Sequence, residues 1–308
     1  MKKVAVIINP NAKKFRTEKV SIKSYMDHNS DNVITSAPKN IDELKETVDR
    51  YNSFKPDYIC IGGGDGTIHF VLTELINSYK TKELPPILIL REGTMDNIAR
   101  SVKLKLKGLQ LLDRLLKKIA NNEKIETDDR FTIKINDKYC FLFGAGCITN
   151  FLNKVYSGKE KGFYRNVQVA LMSFKEGLLN INDGEIFKFT NQSIYIDDNE
   201  VKINPVVGML SGTVEHVGMG FSPLMEAVQS NGTFQTIILG INPREILLNI
   251  SKLRVGKRIK SDKYLNTLCK SLVIKQAGIF EYTMDGDIYT AKDELKVSIG
   301  PKVSLVKI

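Results

Sequence analysis

Over the first hundred residues, short apolar runs alternate with amphipathic stretches of helical length. The runs Val4–Ile8, Val33–Thr35, Tyr58–Ile61 and Ile87–Leu90 lack polar alternation, as strands buried on both faces do. Ile41–Phe54 has helical spacing, and so do Ile68, Leu72, Leu75, Ile76 and Tyr79 after the third run. This β-α-β-α order predicts a doubly wound, parallel α/β sheet, which binds ligands at the carboxyl ends of its strands. A basic amphipathic helix is expected between Leu104 and Lys124, with Leu109, Leu112, Leu116 and Ile119 on one face.

The pattern changes at Asp128-Asp129. Arg130–Ile135 and Tyr139–Gly144, joined by Asn136-Asp137, read as a hairpin. Strand-like runs follow at Ser193–Ile196, Phe234–Leu239, Ser271–Ile274, Phe280–Met284, Leu295–Ile299 and Val303–Ile308, with helical stretches at about 164–180 and 243–252. The expected organisation is an α/β domain over residues 1–127 and a strand-rich, mostly antiparallel domain over 128–308. The last strand is free to return to the first domain. No repeat or low-complexity linker separates the two.

The strongest chemical signal sits at the end of the third strand, where Gly62-Gly63-Gly64-Asp65-Gly66-Thr67 leads into a helix. Consecutive glycines let backbone N–H groups approach a phosphate, and the helix dipole favours the anion. Thr67 can cap the helix or donate to a phosphate. Asp65 is repulsive beside a phosphate unless it holds a cation, such as Mg²⁺ with a nucleotide, or accepts a proton from an attacking hydroxyl. The bland alternative is a tight glycine turn capped by Asp65. No Gly-Lys-Ser/Thr follows, so this is not a Walker A loop. Gly93 and Thr94 follow the fourth strand on the same sheet edge, and Asp96 or Asn97 can cap the next helix. His69, in the first turn after the glycines, is expected at the surface.

Composition narrows the partners. The chain of 308 residues is 42% apolar, enough for a core without disulfides or structural metals. Cys60, Cys140, Cys147 and Cys269 form no C-x-x-C pair, and His28, His69 and His216 have no metal-ligand spacing. Buried thiols in a reducing cytoplasm are the simplest reading. No run approaches the ~18 apolar residues of a membrane span, and Val4–Ile8 is too short for a signal-peptide core. The net charge of +10 is concentrated. Arg100–Lys124 holds eight basic residues against two acidic, and Arg244–Lys275 holds nine against two. Such windows suit an anionic membrane surface or phosphorylated ligands. No nucleic-acid-binding motif accompanies them.

Gly63-Gly-Asp-Gly-Thr67 resembles the signature of the diacylglycerol kinase catalytic domain family, which includes bacterial lipid kinases and sphingosine kinases and is more distantly related to NAD kinases. Asn9-Pro10 is similar to the family's opening, Thr35 falls where it places a nucleotide-contacting threonine, and Leu90–Arg100 resembles its second motif. Met284-Asp-Gly-Asp287 is similar to its D-G-E, with aspartate for the glutamate that would be general base. Its asparagine-aspartate pair is reversed here as Asp96-Asn97. Met225–Gly232 resembles the segment whose aspartate helps hold a structural Mg²⁺, with Asn231 in its place.

The resemblance implies a kinase of phospholipid metabolism that transfers the γ-phosphoryl group of ATP, with Mg²⁺, to a lipid alcohol such as diacylglycerol. It implies a nucleotide site of Asn9, Thr35, Gly62, Gly63, Gly64, Asp65, Gly66, Thr67, Gly93, Thr94 and Asn97. Asp65 and Asp287 would be catalytic, with Asp65 meeting the Mg²⁺ of the nucleotide and Asn231 a weak remnant of the second metal site. A cytoplasmic protein, peripheral at the inner membrane surface, is expected, and a homodimer is compatible with it. The competing expectations are a non-catalytic nucleotide- or lipid-binding relative and an NAD kinase, whose own asparagine-glutamate motif the chain lacks.

Overall fold

A computed structural model describes residues 2–12, 15, 21–80, 83–93, 96–158, 163–179, 181, 184–229 and 231–308, with the side chains of 163–167 excepted. The chain forms two compact units. The first comprises residues 1–132, 137–140 and 301–308, and the second 133–136 and 141–300.

The first unit runs β1 (Val4–Ile8), α1 (Ile22–Met26), β2 (Val33–Ser36), α2 (Ile41–Phe54), β3 (Tyr58–Gly62), α3 (Asp65–Tyr79), β4 (Ile87–Ile89), α4 (Asn97–Ser101), α5 (Leu109–Ala120), β5 (Glu126–Ile135) and β6 (Lys138–Cys140). Its strands lie parallel in the order β2-β1-β3-β4, and Leu305 pairs beside Ile87 of β4. β1 and β3 are buried along their whole length, which explains their unbroken apolar sequence. Because β1 has β2 on one side and β3 on the other, the strand order reverses there, and the loops after β1 and β3 diverge into a crevice.

Two expectations for this unit need correction. α5 turns Leu111, Leu112 and Leu115 inward, whereas Leu109, Leu116 and Ile119 are only half-buried. His69 is fully buried instead of exposed. Its Nδ1 lies 2.7 Å from the carbonyl oxygen of Tyr139, and Thr73 Oγ1, one turn on, accepts from the Tyr139 N–H at 3.0 Å. Burial pushes the His69 imidazole down to about 4, so it is neutral at pH 7.

The second unit continues with β7 (Leu142–Gly146), α6 (Cys147–Tyr156), α7 (Phe163–Leu178), β8 (Ser193–Ile196), β9 (Asn199–Val201), β10 (Gly208–Gly212), β11 (Phe234–Leu239), α8 (Pro243–Leu248), α9 (Ile250–Arg254), β12 (Tyr264–Cys269), β13 (Ser271–Met284) and β14 (Asp287–Lys307), of which the residues from Pro301 on are counted in the first unit. It is strand-rich and antiparallel, in the order β12-β11-β10-β7-β13-β14, with β8 and β9 added beside β13. Cys147, Val169, Ile237, Leu239, Ile246 and Leu253 share its core, which is therefore built from α6, α7, α8, α9 and β11. Among the described residues no helix is long and apolar enough to cross a membrane.

Candidate active site

The crevice of the first unit is closed by polar contacts between its loops. Asn9, directly after β1, donates its backbone N–H to the Gly62 carbonyl (2.8 Å), and its Nδ2 donates to Thr67 Oγ1 (2.8 Å). Thr67 is therefore oriented by Asn9, and the N-cap of α3 is Gly64, which makes no side-chain capping bond. The uncapped N–H groups at this helix start are free to meet an anion.

Gly93 lies against the glycines that follow β3. A Cβ on Gly93 would stand 2.6 Å from the Cα of Gly64 and 2.8 Å from Asp96 Oδ1, so only glycine allows this approach. Gly93→Ala is expected to force the two loops apart and cost ~1–3 kcal/mol. A denaturant midpoint equal to the wild type's would show that the contact is dispensable.

Arg91 (φ 55°) and Asp96 (φ 51°) are non-glycine residues in the left-handed region, so backbone strain is held at both positions. Side chains fix it there. Arg91 Nη1 donates to the carbonyls of Leu104 (2.7 Å) and Lys105 (3.0 Å), and its Nε lies 3.6 Å from Asp96 Oδ2. The Gly93 N–H donates to Asp96 Oδ1 at 3.1 Å. Below the loop, buried Glu92 accepts a hydrogen bond from the hydroxyl of Tyr25, whose pKa is raised by burial and then by Glu92. No local pattern in the sequence singles out Arg91, Glu92 or Tyr25 as loop supports, because their partners lie up to 67 residues away.

Asp96 occupies the N-cap position of α4 but makes no side-chain capping bond. Asp65 does that work from the other loop: its Oδ2 accepts the backbone N–H of Asn97 at 3.2 Å. The second oxygen of Asp65 and Oδ1 of Asn97 are both buried without a hydrogen-bond partner. Burial, partly offset by the Asn97 N–H, pushes the Asp65 carboxyl up to about 6. An unpartnered carboxylate oxygen beside uncapped helix amides is a donor set that fits a phosphate together with a cation.

The structure thus gathers Asn9, Gly62, Gly63, Gly64, Asp65, Thr67, Gly93 and Asn97 at one sheet edge. Thr35 instead bonds locally, donating its N–H to Asn29 Oδ1 (2.7 Å) and its hydroxyl to the Tyr25 carbonyl (3.2 Å). Thr94 lies outside the described residues.

In the second unit, Asp285 and Gly286 form the turn between β13 and β14, with φ 48° and 96°. The Asp285 carboxylate is buried and accepts the backbone N–H groups of Phe141 (3.1 Å) and Leu142 (2.8 Å). Asp287, two residues on, is half-buried, and its Oδ2 is buried without a hydrogen-bond partner. Burial raises its pKa. Tyr156 donates to the Gly286 carbonyl at 2.9 Å, and its own pKa is raised by burial and then by the charge of Asp287. Asn231 is exposed, next to Gly232 (φ 74°), and no group of three or more His, Cys, Asp or Glu side chains suited to a metal occurs among the described residues.

Residues 3–126 match the diacylglycerol kinase catalytic domain family. Among curated proteins no sequence relative matches the chain. Three solved structures from Bacillus anthracis str. Sterne share its fold over 100% of its length. One, described as a "putative diacylglycerol kinase", is 16% identical with a TM-score of 0.68 and is covered over 96%. Another, described as a diacylglycerol kinase, is 15% identical with a TM-score of 0.65 and is covered over 97%. A third, bearing the same description as the first, is 17% identical with a TM-score of 0.66 and 97% coverage.

Proposed function

We propose, from the premise that residues 3–126 match the diacylglycerol kinase catalytic domain family, that the chain is an ATP-dependent lipid kinase acting on a lipid hydroxyl such as that of diacylglycerol. The observation that carries this reading is the unpartnered, buried oxygen of Asp65 beside the uncapped start of α3. ATP, with Mg²⁺, would supply the γ-phosphoryl group. Gly62, Gly63, Gly64, Gly66, Thr67 and Gly93 would hold its phosphates, with Thr94 and Thr35 as further contacts and Asn97 offering its buried oxygen. Asp65 would face the cation. Asp287 would take the proton of the lipid hydroxyl as that oxygen bonds to phosphorus and the β–γ bridging bond breaks to release ADP. Its raised pKa makes the ionised carboxylate a stronger proton acceptor than an ordinary aspartate. Positioning and charge stabilisation supply most of the rate in such transfers.

Purified protein given radiolabelled ATP and a total lipid extract should yield a labelled, chromatographically distinct phospholipid. Tight ATP binding with no transfer to any lipid would instead identify a non-catalytic relative, for which aspartate at 287 in place of glutamate is the supporting observation. Transfer to NAD alone would identify an NAD kinase.

A further inference from the structure

The second unit carries a surface that the proposed chemistry does not use. Helix α7 exposes Leu171, Phe174 and Leu178, spaced by three and four residues and so aligned on one face. Leu248 ends α8, and these four side chains are between 52% and 71% exposed. Ile250, at the start of α9, is also exposed. The two helices meet at Gly177, where a Cβ would stand 3.1 Å from the Pro243 carbonyl and 3.2 Å from Leu247 Cβ. The contact therefore brings the neighbouring Leu178 and Leu248 into one patch.

Positive charge dominates the segment that continues from this patch, where Arg258 pairs with Glu226 at 3.0 Å. From Arg244 to Lys260 there are six basic residues and one acidic residue. Of these, Lys252, Arg254, Lys257, Arg258 and Lys260 are exposed, as is Lys175 on α7. Large exposed apolar side chains in a cluster mark a binding surface, and a rim of long basic side chains matches an anionic interface. A second copy of the chain would bring the same positive excess against itself, so charge complementarity disfavours it.

We propose that the α7–α9 face docks on an anionic phospholipid bilayer, its leucines and Phe174 entering the boundary between headgroups and acyl chains while the basic residues meet headgroup phosphates. The proposal rests on the lipid-kinase reading for its purpose, since it says where such an enzyme meets its substrate phase. Its test is independent of catalysis.

The full chain, without nucleotide, is sedimented with vesicles of phosphatidylcholine mixed with phosphatidylglycerol and with vesicles of phosphatidylcholine alone. The protein should partition onto the anionic vesicles, and less so at high salt. Phe174→Ser combined with Leu248→Ser should lower partitioning at least ~10-fold. Lys257→Glu and Lys260→Glu should each lower it about 5-fold or more. All four side chains are exposed, so thermal midpoints should stay at the wild-type value, as should turnover of a short-chain, water-dispersed diacylglycerol. Wild-type protein left in the supernatant overturns the proposal, as does wild-type partitioning of the Ser/Ser variant. A wild-type dimer that the Ser/Ser substitutions dissociate overturns it too, by assigning the patch to self-association. Vesicle binding by a protein that phosphorylates no lipid upholds the docking face while removing the kinase reading.

Discussion

Asparagine in place of Asp65 is expected to slow phosphoryl transfer about 10³-fold while ATP binding and the fold persist. On the proposed assignment Asp65 supplies a charge beside the phosphates, and a neutral amide of the same shape removes that charge alone. The structural duty of the residue survives, because an asparagine Oδ1 can still accept the Asn97 N–H that Asp65 now accepts at 3.2 Å. Lipid phosphorylation rates and calorimetric ATP affinity check this, and transfer within tenfold of wild type would remove Asp65 from the chemistry.

A pH signature accompanies it. Burial holds the Asp65 carboxyl at about 6, above its ordinary 3.8, so the folded state disfavours its ionised form. The associated stability is fully present below the unfolded pKa and is lost as pH rises through about 6. At 1.4 kcal/mol per pH unit, wild type gives up about 2 kcal/mol at this position between pH 4 and 7. Asp65→Asn loses none of it there, so its stability relative to wild type should rise over that interval. Unfolding midpoints that move in parallel for the two proteins would contradict the burial of this carboxyl.

How much of this was legible beforehand depends on whether the deciding contact is local. β1, β8 and β11 begin and end where the apolar runs do. For β1 and β11 the cause is burial on both faces, which leaves the full strand in the composition. β13 and β14 each read as two strands, since a bulge between Gln276 and Ile279 and the Gly300-Pro301 pair interrupt the pattern without ending the pairing. β10, with glycine at both ends, and α6, which follows β7 without a break, carry no local signal of their kind. At the site, the glycine loop was readable because its chemistry is backbone chemistry. The seat of His69 was not, because its partner carbonyl belongs to Tyr139, 70 residues on.

The hairpin at Asp285-Gly286-Asp287 separates these two kinds of information in three residues. Its turn is readable, since both central residues need positive φ and Asp-Gly supplies it. The work of the two carboxylates is not, as it depends on what surrounds each. Asp285→Ala is expected to cost ~3–5 kcal/mol, by orphaning the buried N–H groups of Phe141 and Leu142 that its carboxylate now accepts. Asp287→Asn should leave stability at pH 7 unchanged or raised, because it replaces a carboxyl whose ionisation burial already opposes. The same variant should slow transfer about 10²-fold, through loss of the proton acceptor. Denaturant midpoints and transfer rates measured on both variants read the two roles separately. A wild-type midpoint for Asp285→Ala would show that the turn alone holds Phe141 and β7 in place. A wild-type rate for Asp287→Asn would leave the unpartnered oxygen of Asp65 as the remaining carboxylate able to take the proton.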